Sequence, residues 1–212
     1  MGVVARRTRE KEARKSQILD AARELFFTGG FEGTTIEDIA EATELSKGAI
    51  YLYFPSKEEI YVSITHEGAK ILHEMLNRAA SGNLPADTLL RRLGQMYFRF
   101  YREYPGYFRM LFLYYSSSEM KKRVTPELCK DCEIQAKESL SLVAEIIQKG
   151  IDTGMFKPCN AWEIAVMTWT CQNGVILLEE RGDHQLLNLN TTVEKLHDLF
   201  LESIITSLKM GR

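Results

Sequence analysis

Apolar residues recur at helical intervals along almost the whole chain, as in Ile18, Ala22, Leu25 and Phe26 and again in Ile60, Ile64, Ile71 and Met75. Spacings of three and four put such residues on one face of a helix. The alternation of apolar and polar residues that gives a strand its buried face is absent. The chain is therefore expected to be all-α. Its 212 residues, 45% of them hydrophobic, suffice for one sizeable core or for a small domain joined to a larger one.

Capping and breaking residues divide the periodic stretch. A first helix is predicted from about Arg9 to Thr28, stopped by Gly29-Gly30, which supply the left-handed backbone that a helix end favours. Thr35 caps the next, with Asp38 three residues on in a variant of the capping box and Ile36, Ile39 and Ala40 as its buried face. After Thr43-Glu44-Leu45, Ser46 caps a helix of about two turns that ends before Pro55. Ser56 and Glu59 form a regular capping box at the start of a long helix running from Lys57 to about Ala80. Beyond Ser81-Gly82, helices are predicted over Ala86 to Tyr104, Gly106 to Tyr115, Glu127 to Asp152, Ala161 to Glu180 and Thr191 to Lys209. The expected organisation is a three-helix unit over residues 1–56, joined by the long helix to a larger helical bundle over residues 57–212.

Two short capped helices joined by a tight turn and braced by a longer one make a helix-turn-helix. In that motif the second helix enters the DNA major groove and its first residues face base edges. Ile50 and Phe54 are expected to point inward with Leu45, which leaves Lys47, Gly48, Ala49, Tyr51 and Tyr53 outside. Small residues let the backbone approach the bases, Lys47 can donate to guanine acceptors or to phosphate, and tyrosine hydroxyls can fix register on the flanking phosphates. Lys57 and the helix start at Thr35 are further candidate phosphate donors. Taken singly, Tyr51 or Tyr53 reads equally well as a half-buried aromatic with a wet tip; the constellation does not.

Charge alone leaves DNA binding open. The first 15 residues carry Arg6, Arg7, Arg9, Lys11, Arg14 and Lys15, and this tail is expected to lie along the backbone or in a minor groove. Acids between Asp20 and Glu44 cancel the excess, and the net charge of −2 argues against a general nucleic-acid coat or architectural protein.

Residues 9 to 60 resemble the DNA-binding domain of the tetracycline-repressor (TetR) family of transcriptional regulators, through ILDAARELFFTGGFEGTTIEDIA followed by LSKGAIYLYFPSKEEI. The resemblance implies a homodimer on a palindromic double-stranded operator, with the remaining helices forming a ligand-binding and dimerisation domain. It implies DNA contacts at Thr35, Ser46, Lys47, Gly48, Ala49, Tyr51, Tyr53 and Lys57. Two positions depart from the family pattern. Glu44 stands where a turn glycine is usual, at a cost of up to about 1 kcal/mol if its backbone is left-handed. Leu52 replaces a frequent aromatic.

In the larger domain the aromatic run YFRFYREYPGYFRMLFLYY, residues 97–115, reads either as bundle core or as the wall of a cavity. The resemblance favours a ligand cavity, with Tyr97, Tyr101, Tyr104, Phe108, Phe112, Met167 and Cys171 as candidate lining. The apolar character suits an acyl or flat aromatic effector. Arg99, Arg102 and Arg109 either meet an acidic group on it or solvate the outer helix face. Broad apolar faces around Trp162, Val166, Trp169 and Ile176, and around Val193, Leu196, Phe200, Ile204 and Leu208, are assigned by the resemblance to a dimer interface. They serve equally to close the monomer's own core.

Cys129-Lys-Asp-Cys132 has the gap of a metal or redox pair but lacks a second pair, and His66, His73, His184 and His197 lack metal-ligand spacing. No glycine-rich phosphate loop or nucleophile elbow is present. No cofactor, metal or enzymatic activity is expected, and the alternative is a thiol-based redox sensor or enzyme using Cys129 and Cys132. No apolar run reaches the roughly 18 residues needed to span a bilayer, so a cytoplasmic protein is expected.

Overall fold

A computed structural model describes residues 2–112, 120, 122–182 and 191–210. Nine helices run through the described residues: α1 (Gly2–Gly29), α2 (Ile36–Ala42), α3 (Lys47–Tyr51), α4 (Lys57–Ala80), α5 (Ala86–Glu103), α6 (Pro105–Phe112), α7 (Pro126–Asp152), α8 (Ala161–Glu180) and α9 (Val193–Leu208). The β pairing among them is one isolated bridge between Phe156 and Lys209. The fold is all-α, and no helix among the described residues is long and apolar enough to cross a membrane.

Most ends fall where the capping residues put them, including the left-handed Gly30 after α1, at φ 69°. Two do not. α1 starts at Gly2 rather than near Arg9, since no proline or glycine interrupts the basic stretch and an i,i+4 pair, Arg6 to Glu10 at 2.7 Å, supports it. α3 has five residues rather than two turns, its last turn closing with Phe54 N–H on the Ile50 carbonyl at 3.0 Å. The expected end of α6 at Tyr115, and His184, lie outside the described residues.

The chain forms two compact units, residues 1–69 with 106–133 and residues 70–105 with 134–212. The first is built on a core that joins Ile18, Ala22 and Phe26 of α1 to Ile39 of α2, Ile50 of α3, Ile60, Tyr61 and Ile64 of α4, and Met110 of α6. The Tyr61 hydroxyl donates to the Met110 carbonyl at 2.9 Å. Two glycines permit close aromatic packing: a Cβ at Gly106 would come within 2.6 Å of the Phe27 ring, and one at Gly68 within 2.6 Å of Tyr107. The two rings meet edge to face at 5.1 Å.

The start of α4 differs from a simple capping box. The Glu59 N–H donates to Ser56 Oγ at 3.0 Å as expected, but the Glu59 carboxylate takes the Thr125 N–H at 2.7 Å and the Thr125 hydroxyl at 2.8 Å, just ahead of α7. The Ser56 hydroxyl donates to the Arg123 carbonyl at 2.7 Å, and Arg123 pairs with Glu58 at 3.1 Å. A glutamate inferred to serve its own helix thus ties two helix starts together.

In the second unit α9 packs on α5 and α8, with Leu201 seated so closely on Gly94 that a Cβ there would approach within 2.3 Å. Buried His197 places Nε2 3.1 Å from the Gln172 side-chain oxygen and its ring 4.6 Å from Phe98. Arg102 lies 5.1 Å from the Phe98 and Tyr101 rings, bonds Glu179 at 2.8 Å and pairs with Glu194.

Candidate nucleic-acid interface

The helix-turn-helix is assembled from its caps inward. Thr35 and Asp38 complete the first box: Asp38 N–H donates to Thr35 Oγ1 at 3.2 Å, and the Thr35 N–H and hydroxyl both donate to Asp38 Oδ2 at 2.7 Å. Those bonds, the backbone one foremost, hold the Asp38 carboxyl below the usual carboxylate range. In the turn, the Thr43 hydroxyl donates to the Ile39 carbonyl at 2.7 Å and Gln17 Nε2 to the Thr43 carbonyl at 3.1 Å, which pins the turn to α1. Ser46 then caps α3 by accepting the Ala49 N–H at 3.2 Å. Ile50 and Phe54, 0% and 5% exposed, anchor α3 to the core, with Leu45 partly buried against it.

That anchoring leaves Ser46, Lys47 and Gly48 exposed at the start of α3, with Ala49 half-buried and Tyr51 half-exposed. Leu52 is 81% exposed and Tyr53 half-buried. A Cβ at Gly48 would meet only Ser46 Oγ, at 3.9 Å, so nothing inside the protein requires glycine there. The structure gathers the candidates Ser46, Lys47, Gly48, Ala49, Tyr51 and Tyr53 around α3, while Thr35 heads α2 with its donors engaged by Asp38. Lys57 is held differently: its Nζ donates to the Phe31 and Thr34 carbonyls at 2.8 and 2.9 Å and sits 4.0 Å over the Phe31 ring. It clamps the turn that precedes Thr35.

Glu37 in the first turn of α2, paired with Lys47, was not among the candidates. No sequence motif marks it; only the juxtaposition of two helix starts does. The basic start is a helix rather than a loose arm, and it brings Arg7, Lys11 and Arg14, at spacings of four and three, to one open groove of about 530 Å³ with Glu10, Leu52 and Tyr53.

The candidate ligand residues divide between the two units. Tyr97 and Tyr101 are buried and Tyr104 half-buried in the second unit, Phe108 and Phe112 belong to the first, and Met167 and Cys171 are exposed on α8. The Tyr97 hydroxyl donates to Asn173 Oδ1 at 2.6 Å, and burial pushes its pKa up. α8 is apolar on several sides, so its spacing does not choose the inner one. The second unit opens a groove of about 450 Å³ lined by His73 of α4 and by Ile134, Lys137, Glu138, Ser141, Leu142 and Glu145 of α7. None of the four cysteines is in a disulfide, and Cys129 packs against the first unit's core. No group of three metal-ligating side chains occurs among the described residues.

Residues 18–64 match the family described as bacterial regulatory proteins, tetR family, and residues 90–204, more than half of the chain, match the tetracyclin repressor-like C-terminal domain. The chain belongs to the TetR family. As a TetR-family protein it is a helix-turn-helix, DNA-binding transcriptional regulator. It is 26% identical over 147 residues to the uncharacterized HTH-type regulator YhgD of Bacillus subtilis, covering 69% of this chain and 74% of YhgD. It is 43% identical to YfiR of the same organism over 58 residues, which span 27% of this chain and 28% of YfiR. Two solved structures share its fold. The TetR-family regulator PfmR of Thermus thermophilus superposes with a TM-score of 0.69 at 24% identity, covering 91% of this chain and 99% of PfmR. FadR of Bacillus subtilis, solved in complex with stearoyl-CoA, gives 0.71 at 20% identity, covering 91% of this chain and 98% of FadR.

Proposed function

We propose that this TetR-family regulator is a repressor that binds a palindromic operator as a homodimer and is released by an apolar effector of acyl or aromatic character. The observation that carries the DNA-binding half is the start of α3, where Ser46, Lys47 and Gly48 stand exposed on a helix fixed by the burial of Ile50. Lys47 reads a base edge or a phosphate, and Tyr51 and Tyr53 hold phosphates at the far end of the helix. Arg7, Lys11 and Arg14 neutralise the strand that passes their groove.

The effector half draws support from the groove where Ile134 and Leu142 lie open among charged neighbours, and from the acyl-CoA held by FadR, a protein of the same fold. Both α4 and α7 contribute residues to each compact unit, so an effector that shifts either helix can move the recognition helices. In a dimer those helices must sit about 34 to 36 Å apart to dock in successive major grooves. The effector must bind the undocked spacing more tightly, since only differential affinity shifts an equilibrium.

Footprinting on the DNA flanking the protein's own gene tests the proposal, repeated with long-chain acyl-CoA and with flat aromatic acids. Lys47→Ala and Tyr51→Ala are expected to weaken operator binding by about 1 to 3 kcal/mol each without lowering the melting temperature. Undiminished affinity in both variants would overturn the assignment of α3 as the recognition helix. Protection that persists with every compound would overturn the effector assignment alone.

A further inference from the structure

α2 and α3 each begin with a charged side chain that the core does not use. Glu37 is the second residue of α2 and Lys47 the first of α3; their side chains are 57% and 53% exposed, and the carboxylate and ammonium pair across the turn. An ion pair this exposed adds little to stability, so folding does not account for it. Placed beside a recognition helix, a carboxylate also repels the phosphates of the duplex. Its neighbour Asp38 is explained by the cap it makes with Thr35. Glu37 turns to Lys47 instead.

The major-groove edge of a G·C pair presents two acceptors, guanine N7 and O6, beside one donor, the cytosine N4 amino group. A cation and a carboxylate held side by side are the complement of that edge. We propose that Glu37 and Lys47 read one G·C base pair jointly, Lys47 Nζ donating to guanine O6 and N7 while Glu37 accepts from the N4 amino group of the paired cytosine. The other base pairs oppose this arrangement. A·T sets the thymine O4 acceptor against the carboxylate, and the reversed C·G sets an amino group against the ammonium. Pairing before DNA arrives also directs the lysine toward bases rather than phosphates. The inference rests on the reading of α3 as the recognition helix.

The test begins with the full chain and a random-sequence duplex library, which supplies the preferred site. That site is expected to hold a G·C pair whose replacement weakens wild-type binding by about 10- to 100-fold. Glu37→Ala should lose part of the discrimination at that pair, keeping what Lys47 reads from guanine alone, and keep it elsewhere. A duplex carrying 2-pyrimidinone, which lacks the exocyclic amino group, in place of that cytosine should weaken the wild type and leave Glu37→Ala unaffected. If Glu37→Ala binds every sequence more tightly with unchanged preferences, the carboxylate merely repels phosphate and the joint reading is wrong. An unchanged profile, with equal loss on the analogue for both proteins, rejects it as well. A wild-type chain that enriches no sequence rejects the recognition-helix reading itself.

Discussion

Glu44 forms the turn between α2 and α3 with φ at 56°, the one left-handed non-glycine among the described residues. Its Cβ crowds the following carbonyl at a cost of about 1 kcal/mol. Glu44→Gly is accordingly expected to raise the melting temperature by about 2 to 4 °C in thermal denaturation. A lower melting temperature would mean that the side chain contributes more than its backbone costs. Lys57 calls for a different variant. Lys57→Met keeps the apolar stem but strands two carbonyls, so it should lose about 1 to 3 kcal/mol of stability and weaken DNA binding together with it. Loss of DNA affinity at unchanged stability would instead return Lys57 to the phosphates. Sequence reasoning placed Thr35, Ser46 and Ile50 correctly because caps and spacing are local properties. It did not show the bonds of Lys57 to Phe31 and Thr34, because those carbonyls come into reach only when the chain folds back.

At the scale of elements, α9 joins the rest of its unit through His197. Burial holds the imidazole down to about 4, below its ordinary 6.5, with the Asp198 charge opposing in part. Between these values the unfolded chain takes up a proton that the folded chain refuses. Stability therefore falls as pH drops through that window, by up to about 3 kcal/mol, and is restored as pH rises above it. Denaturant titrations at several pH values should show this slope, and His197→Gln should flatten it. Where α5 crosses α9, Gly94→Ala should cost about 1 to 3 kcal/mol, since the added methyl displaces Leu201. A neutral outcome there would show that the two helices separate easily. Helix spans were legible because glycine, proline and capping residues punctuate the sequence. Which face of α8 points inward was not, because apolar residues on several sides satisfy helical periodicity equally well; hence Met167 and Cys171 proved exposed.

For the whole molecule, the carboxylate of Glu59 and the core around Tyr61 and Met110 show how far the first unit extends beyond the helix-turn-helix. Residues 1–56 expressed alone lack Ile60, Tyr61, Ile64 and Met110, and are expected to give poorly dispersed amide resonances. A folded spectrum from that fragment would show that α1, α2 and α3 are self-sufficient. A sequence read from one end to the other suggests contiguous blocks, because nothing local to residues 106–133 signals that they pack with residues 1–69.

The clasp between Ser56, Glu59, Arg123 and Thr125 has a consequence for how such a regulator can change over generations. Exchange of the front of its gene with that of a relative would carry over a recognition helix severed from the Arg123 and Thr125 partners that hold the start of α4. A single crossover that keeps the clasp whole must fall beyond Thr125, and it then carries residues 70–105 of the second unit along with the recognition helix.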